Sequence, residues 1–461
     1  MSNLSNQPLS PLDGRYQAAV VELGEHLSEA GLNRARIHVE IEWLILLANT
    51  KVLGNARELD LTEIARLREV VANFSDADVA TLAKTEATTK HDVKAVEYFV
   101  RSKLEAIGRN DLAELTHFAC TSEDINNLSY AITIKAAVYD VWLPRAKNLV
   151  ERISSLALQY TDVPMLSRTH GQPATPTTVG KELAVFVYRL NRQLARISAA
   201  EYLGKFSGAT GTFSAHVSAA PSVDWIGTSK QFIESLGLSF NPLTTQIESH
   251  DWQAELYVAI AHFNRILHNL CTDVWTYISQ NYFKQIPQPG ATGSSTMPHK
   301  INPIRFENAE ANLELSNALL DSLSATLVTS RLQRDLTDSS AQRNIGVAFG
   351  HSLLAIDNVT KGLGEVELNR VVIDADLSEN WEVLGEAIQT VIRAEVVAGN
   401  STISDPYQLL KELTRGKRIG HEDLAVFVNG LEISQEAKGR LLALRPNNYV
   451  GLAAELAKLI G

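Results

Sequence analysis

Cysteine is scarce in this sequence, since only Cys120 and Cys271 occur among 461 residues. They form no C-x-x-C pair and have no cysteine or histidine spacing suited to zinc, which argues against a zinc domain. A single disulfide is chemically possible, but we expect two buried free thiols in a reducing cytosol.

Long hydrophobic runs are also missing. The longest fully apolar run covers residues 43–48, far below the roughly 20 residues that a membrane-spanning helix needs. The N-terminal segment MSNLSNQPLSPLDGRY is polar and has no apolar secretory core. We therefore expect a cytoplasmic protein that has no membrane partner.

Positive charge is not in excess either, because the formal net charge is -11. Nucleic-acid binding needs a basic face that neutralises phosphates, so nucleic acid is not expected as the partner. A small anionic substrate remains compatible with this charge, since a local cluster of Arg, Lys and His can hold a phosphate or a carboxylate.

The sequence is rich in helical periodicity. Hydrophobic residues make up 45% of the chain, as in a globular protein, and the length favours two to four domains. Two stripes of apolar residues at helical spacing begin at Val179 and Leu313. A longer one, with alternating steps of four and three, consists of Trp252, Leu256, Ile260, Phe263, Leu267, Leu270, Val274 and Tyr277. This spacing predicts long helices packed side by side.

The predicted fold class is all-α, because few period-2 runs of β-branched residues occur. Proline and glycine divide the chain into three predicted helical domains: an N-terminal domain (residues 1–110), a central long-helix bundle (111–365) and a C-terminal domain (366–461). The longest helix should have about 30 residues and a length of roughly 45 Å. It needs partners along its whole length, which favours a bundle that is extended by other subunits.

The segment at residues 286–304, IPQPGATGSSTMPHKINPI, is the most unusual one in the chain. It lies between two long predicted helices and contains four prolines and two glycines. A connection of this length favours a functional lid over an ordinary turn. Its hydroxyl, amide and lysine groups can bind anions, although the Gly-Lys-Ser/Thr order of a P-loop is missing.

A second polar segment, SRTHGQPATPTT at residues 167–178, precedes a long predicted helix. Thr175 is predicted as the N-cap of that helix and Pro176 as its first residue. Capping does not explain His170, for which a structural role and a catalytic role are about equally supported.

Three further polar segments lie near predicted helix ends. HFACTSEDINN at residues 117–127 predicts a helix start whose free N–H groups could bind a carboxylate or a phosphate. TTKHDVKAVEY at residues 88–98 and RLQRDLTDSSAQRN at residues 331–344 gather basic and amide side chains. Taken singly, each of these segments is adequately explained as a solvated helix end.

Taken together, these segments resemble the fumarase/aspartase superfamily. GSSTMPHKINP at residues 293–303 is similar to the superfamily signature GSSxMPxKxNP. THGQPATPTT, HFACTSEDINN, TTKHDVKAVEY and SPLDGRY are similar to the adenylosuccinate lyases of the bacterial type. The resemblance covers nearly the whole chain in the same order. Lys90 departs from it, because an amide is expected there.

The resemblance implies a homotetramer whose active sites are shared between subunits and which needs no cofactor or metal. The implied reactions are cleavage of adenylosuccinate to AMP and fumarate, and of succinyl-aminoimidazole carboxamide ribotide to AICAR, in purine biosynthesis. The implied catalytic residues are the general base Ser294 and the general acid His170. The implied substrate-binding residues are Arg15, Tyr16, Lys90, His91, Asp92, Thr121, Ser122, Gln246, Ser295, Lys300, Asn302, Asn308, Arg334, Ser339 and Arg343.

These residue types suit the chemistry of such an elimination. Removal of a proton beside a carboxylate adds negative charge to an anion, so fixed cations and N–H donors should supply the largest stabilisation. A serine is a weak base unless loop closure excludes water and places it against a cation. A histidine can donate a proton near neutral pH.

Two alternatives remain open from the sequence. An argininosuccinate lyase or a cycloisomerase of the same superfamily would lack the nucleotide phosphate. A non-catalytic helical scaffold would have no reason to keep Ser294, His170, Lys300 and Asn302 together.

Overall fold

The computed structural model of the protein describes residues 8–54, 57–288, 290, 297, 300–414 and 419–460. Its first helices are α1 (Gln17–Leu27), α2 (Glu29–Asn49), α3 (Leu61–Ala72), α4 (Asp76–Thr89), α5 (Asp92–Ala106) and α6 (Ser122–Ala136). A 3-10 helix covers Asn110–Leu115, and a π-helical stretch, Ala137–Trp142, continues α6.

The middle and C-terminal parts are also mainly helical. The middle helices are α7 (Leu143–Gln159), α8 (Val179–Ser198), α9 (Ser214–Ala219), α10 (Trp225–Ser235), α11 (Asp251–Ser279), α12 (Ile304–Leu327), α13 (Thr337–Gln342) and α14 (Ile345–Gly364). The last helices are α15 (Arg370–Ser378), α16 (Gly385–Val397), α17 (Pro406–Thr414), α18 (His421–Gly430), α19 (Gln435–Ala443) and α20 (Ala453–Ala457), with 3-10 helices at Trp381–Leu384 and Lys458–Ile460.

The strands of the described residues are short and pair two by two. They are β1 (Pro164–Thr169), β2 (Gln172–Thr178), β3 (Leu203–Gly204), β4 (Ser239–Phe240), β5 (Phe283–Gln285) and β6 (Val366–Leu368). β1 pairs with β2 and β5 with β6 in antiparallel fashion, and β3 pairs with β4 in parallel fashion. The all-α prediction is confirmed, because helices dominate and these strands add only local pairs.

The chain divides into two compact units. The first unit consists of Met1–Lys147, Gln193–Arg265 and Ala311–Asp357, and the second of Asn148–Arg192, Ile266–Glu310 and Asn358–Gly461. The predicted division into three domains at residues 110 and 365 stays a prediction.

The three predicted apolar stripes lie on buried helix faces. α11 has 29 residues, close to the predicted length. Its stripe is buried up to Val274, and Tyr277 is half-buried. The other buried stripe residues are Val179, Leu183, Phe186, Leu190, Leu194 and Ile197 of α8 and Leu313, Leu320, Leu323 and Leu327 of α12. The helical periodicity therefore identified core-facing sides correctly.

In the first unit, Trp43 of α2 lies at the centre of an aromatic cluster. Its ring centroid is 4.4 Å from that of Phe206 and 5.0 Å from that of Phe232. The indole N–H donates to the carbonyl of Phe118 at 3.1 Å, so burial leaves no polar atom of this side chain unpaired.

In the second unit, the C-terminal helices enclose a separate apolar cluster. Its core residues include Leu384, Ile388 and Ile392, and Leu424 and Val428 of α18 pack in the same cluster. The short helices of this part can therefore bury their apolar faces against one another.

The two cysteines are free thiols: Cys271 is buried and Cys120 is half-buried. Burial raises the pKa of both thiols. No helix among the described residues is long and apolar enough to cross a membrane.

Candidate active site

His170 lies at the tip of a hairpin in the second unit. β1 and β2 pair up to Thr169 and Gln172, so that His170 and Gly171 form a two-residue turn. Both have positive φ, 52° and 74°, as a type I′ hairpin turn requires. The histidine is exposed at the end of a paired ribbon, where its ring is available to a ligand.

The predicted roles of Thr175 and Pro176 in helix capping are wrong. Both residues belong to β2, and α8 begins three residues later, at Val179. The register passes from Met165 opposite Thr177 to Ser167 opposite Ala174, so that Thr175 and Pro176 form a bulge. A bulge accommodates a proline because the ladder needs no N–H there. Thr178 accepts from the N–H of Lys181 instead.

Three of the predicted binding residues lie at the end of the segment 286–304 or just after it, in the second unit. Lys300 is exposed, and its N–H donates to the carbonyl of Met297 at 3.0 Å. Asn302 is half-buried just before α12. Asn308, on the first turns of α12, accepts from the amide of Asn358 at 3.0 Å. The predicted general base Ser294 and the predicted binding residue Ser295 lie outside the described residues.

In the first unit, Thr121 and Ser122 begin α6 as predicted. Thr121 is the N-cap, and its N–H donates to a carboxylate oxygen of Asp124 at 2.8 Å. Both residues are half-buried. The start of a helix of 15 residues presents free N–H groups that suit an anion.

A fully buried ion pair stabilises this helix start. The Nζ of Lys205 lies 2.8 Å from Oδ1 of Asp124, and both side chains have 0% exposure. Asp124 also accepts from the N–H groups of Ser207 and Gly208. Lys205 donates to the carbonyl of Gly208 at 2.9 Å. The pair therefore connects the start of α6 to the segment around residues 205–208.

Gln246 lies against the same segment of the first unit. Its amide donates to the carbonyl of Ala209 at 2.9 Å. A Cβ at Gly211 would come within 2.2 Å of the carbonyl of Thr244, so this close approach requires glycine. Gln246 is thereby held beside the turn that Asp124 and Lys205 organise.

Arg334 and Ser339, predicted to bind phosphate, lie in contact in the first unit. The guanidinium donates to the hydroxyl of Ser339 at 2.9 Å and forms an ion pair with Glu123 of α6, also at 2.9 Å. Asp338 lies 3.7 Å from Arg334 and 3.5 Å from His250. Burial tends to raise the pKa of Asp338, but the hydrogen bond to His250 and the charge of Arg334 lower it overall.

A second group in the first unit consists of Asp92 with His91 and Arg343, and Lys90 directly precedes His91 in the chain. His91 is the N-cap of α5, and its ring accepts from the N–H of Lys94. Asp92 lies 2.9 Å from Arg36 and 3.3 Å from Arg343. Burial tends to raise the pKa of Asp92, but chiefly the charge of Arg36 lowers it overall.

Lys90 ends α4 in the left-handed conformation, with φ 56°. Asparagine adopts this conformation more readily than lysine. The backbone therefore supplies a physical reason for an amide at this position.

Arg15 and Tyr16 lie just before α1, and the guanidinium lies 5.9 Å from the centroid of the tyrosine ring. A groove of about 590 Å³ lies nearby in the first unit. Its lining includes Asp13, Gln17, Gln342 and Arg343. Arg343 therefore faces a cavity that is large enough for a small molecule.

Several residues that hold the candidates were missed in the sequence. Glu123 and Asp338 position Arg334, while Asp124 and Lys205 position the start of α6. Glu123 and Asp124 lie in a segment whose sequence is already explained by a helix start. The glycine-rich context of Lys205, GKFSGATG, was the one signal that could have identified it.

The chain matches known proteins over most of its length. A family model described as lyase matches residues 14–315, and one described as adenylosuccinate lyase C-terminal matches residues 330–450. Adenylosuccinate lyase of Escherichia coli strain K12 is 49% identical over 446 residues, 96% of each chain. Adenylosuccinate lyase of Haemophilus influenzae is 48% identical over 451 residues, 98% of each chain.

Two solved structures share the fold. The 3-carboxy-cis,cis-muconate lactonizing enzyme from Pseudomonas putida matches with a TM-score of 0.73 and 20% identity, over 96% of this chain and 97% of its own. A fumarate lyase from Mesorhizobium sp. BNC1 matches with a TM-score of 0.74 and 16% identity, over 95% and 97%. At these identities the likeness concerns the fold alone.

Proposed function

Because this chain belongs to the adenylosuccinate lyase family and is a carbon–nitrogen lyase, we propose that it cleaves adenylosuccinate to AMP and fumarate with Ser294 as general base and His170 as general acid. The observation that carries the proposed reaction is the identity of 49% to an adenylosuccinate lyase over 96% of both chains. The proposed acid is supported by the exposed position of His170 at a fixed hairpin turn.

The proposed elimination breaks one C–N bond. Ser294 removes a proton from the carbon beside a carboxylate, and the electron pair left on that carbon is stabilised by the carboxylate. This pair forms the double bond of fumarate as the C–N bond breaks, and His170 protonates the leaving nitrogen. Lys300, the hydroxyl groups of Thr121 and Ser122 and the N–H of Ser122 stabilise the negative charge that develops on the succinyl group.

The proposed phosphate site consists of Arg334, Ser339 and Arg343. The fork of Arg334 already donates to Glu123 and Ser339, so its plane is fixed before a phosphate binds. His91, at the N-terminus of α5, adds a ring and free N–H groups of the helix. Arg15 and Tyr16 extend the same proposed site.

We propose succinyl-aminoimidazole carboxamide ribotide as a second substrate, because it can undergo the same elimination. It carries the same succinyl-amine and the same ribose phosphate, so the same groups serve both reactions. We also propose a cytoplasmic homotetramer with shared active sites. The large exposed side chains of Val185 and Tyr188 on α8 and Leu315 on α12 support contacts with other subunits.

The test is a spectrophotometric assay of purified protein with adenylosuccinate. We expect turnover in the wild type and a loss of several orders of magnitude in Ser294→Ala. Ser279→Ala, which removes an exposed hydroxyl at the end of α11, is the control and should keep full activity. AMP at 100 times its Kd should stabilise the protein by about 2.7 kcal/mol.

Two outcomes would contradict the proposal. A folded wild type that cleaves argininosuccinate but not adenylosuccinate would change the substrate. Turnover above about a tenth of the wild-type value in Ser294→Ala would remove Ser294 as the base, since a factor of ten is only about 1.4 kcal/mol of barrier.

A further inference from the structure

The hairpin formed by β1 and β2 is held by carboxylates of the C-terminal segment of the second unit. Arg168 lies on β1, two residues before His170, and its guanidinium lies 2.6 Å from Oδ2 of Asp376 on α15. An extended strand rises about 3.3 Å per residue, so this anchor lies only about 7 Å along the chain from the turn.

The carboxylate of Asp376 accepts from two further donors besides Arg168. The hydroxyl of Tyr282 donates to the same carboxylate oxygen as Arg168. The amide of Asn380 donates to the other oxygen at 3.2 Å, and to the backbone carbonyl of Asp376 at 2.6 Å. Three donors from different segments fix the carboxylate, and the carboxylate in turn fixes Arg168.

The other strand of the hairpin has its own anchor. The hydroxyl of Thr175, in the bulge of β2, donates to the carboxylate of Glu386 on α16. The hydroxyl of Tyr449 lies 3.5 Å from the same oxygen. One carboxylate therefore holds each strand, and both come from the part of the chain that follows Gly364.

We propose that Asp376 and Glu386 are positioning residues for the reaction, because they hold the two strands of the hairpin that presents His170 to the substrate. This inference rests on the proposed role of His170 as the general acid. The two carboxylates act on the protein side of the site and need not touch the substrate. Their effect should appear in the step in which His170 donates its proton.

Positioning explains why carboxylates are useful at these two places. His170 and Gly171 are exposed at the turn, so the direction of His170 depends on where the strands are held. A displacement of about 1 Å in a catalytic group can cost on the order of a hundredfold in rate. Two hydrogen-bonded anchors on opposite strands restrict both the tilt and the twist of the ribbon.

The test compares Asp376→Asn with Asp374→Asn on the full-length protein. Both lie on α15, but the side chain of Asp374 is exposed, so the two variants lose the same charge from the same helix. We expect about a tenfold lower kcat in Asp376→Asn, with the KM for adenylosuccinate and the thermal protection by AMP unchanged. Asp374→Asn should match the wild type, and Asp376→Glu should recover part of the lost kcat.

A merely structural role would give a different pattern. It would lower the melting temperature, weaken AMP binding and reduce kcat together, and that result would overturn the inference. Equal kcat in Asp376→Asn and Asp374→Asn would overturn it as well. If Asp376→Asn does not fold, Thr175→Val replaces it, because it removes only the hydroxyl that Glu386 accepts from. It should lower kcat about threefold, and an unchanged kcat would reject the inference.

The inference and the proposed function fail in distinguishable ways. An inactive wild type with adenylosuccinate would reject the proposed function and the inference together. An active wild type with a fully active Asp376→Asn variant would reject only the role of the anchors.

Discussion

Arg334 in the first unit and His170 in the second unit are held in place in different ways. Arg334 is fixed directly, since its guanidinium contacts Glu123 and Ser339. His170 is fixed indirectly, through Arg168 and Thr175 at the strands of its hairpin. A binding group can be held by its own charge, whereas an acid that must give up a proton is better held through its backbone, which leaves the ring free.

The largest expected effect tests the hairpin. His170→Ala should lower kcat about 10²- to 10⁴-fold, the usual contribution of a general acid. The melting temperature should stay close to that of the wild type, because the side chain is exposed. The assay is steady-state turnover of adenylosuccinate, with Gln172→Ala, at the next exposed position beyond the turn, as the control. A variant with more than a tenth of wild-type kcat would exclude His170 as the acid.

The next effect concerns the buried pair that organises the first unit. Lys205→Met leaves the carboxylate of Asp124 buried without its cation, and should cost about 3–5 kcal/mol of unfolding free energy. The double variant Asp124→Asn/Lys205→Met should lose less, because no charge is left buried. Urea unfolding measures both.

Lys230→Met, in an exposed pair with Glu234, is the matched control and should change stability by less than about 1 kcal/mol. A Lys205→Met variant that unfolds at the urea concentration of this control would contradict the assigned role of the pair.

A smaller effect is expected when the planar guanidinium of Arg334 is replaced by the ammonium group of a lysine. Arg334→Lys cannot keep the contacts to Glu123 and Ser339 and offer a flat face to phosphate at the same time. We expect the KM for adenylosuccinate to rise about tenfold with kcat nearly unchanged. Arg331→Lys, whose side chain is 81% exposed beside Asp335, should leave both constants unchanged. A loss of kcat without a change in KM would show that Arg334 acts in the chemical step.

The smallest effect is a pH dependence in the first unit. Burial tends to lower the pKa of His117, but the hydrogen bond and the charge of Glu40 raise it overall. Stability from this pair is therefore fully present below the ordinary histidine pKa of about 6.5, and is lost as the pH rises through the raised pKa. The wild type should melt about two degrees above Glu40→Gln near pH 6, and this difference should shrink toward pH 9.

Glu114→Gln provides the comparison for that experiment, because the partner of Glu114 is Arg101, which does not titrate in this range. Its difference from the wild type should not vary between pH 6 and pH 9. If the difference for Glu40→Gln were equally flat, His117 would not titrate against Glu40.

The helices were predictable because their signal is local. The apolar stripe from Trp252 gave α11 almost to the residue, since each buried position follows the previous one by one turn. The fold class and the family followed from such stripes and from short polar motifs. The bulge at Thr175 and Pro176 was not predictable in this way, because a proline after a threonine suits a helix start as well as a bulge.

The candidate site was predictable only in part. Arg334 and Ser339 were chosen from one short segment, and the structure places them in contact. The residues that hold them, such as Glu123, were not identified, because a helix start rich in acids has a sufficient local explanation. Ser294 and Ser295 lie outside the described residues, so their roles stay predictions.

The sequence by itself determined the helices, the family and the residue types that the reaction needs, because periodicity and motifs are written along a continuous stretch of chain. Only the tertiary structure decided which charges meet. Asp376 contacts Arg168 across 208 positions of sequence, and Lys205 meets Asp124 in a fully buried pair. Such pairs join residues that are far apart in the sequence, and the periodicity of a single sequence does not show which distant segments come into contact.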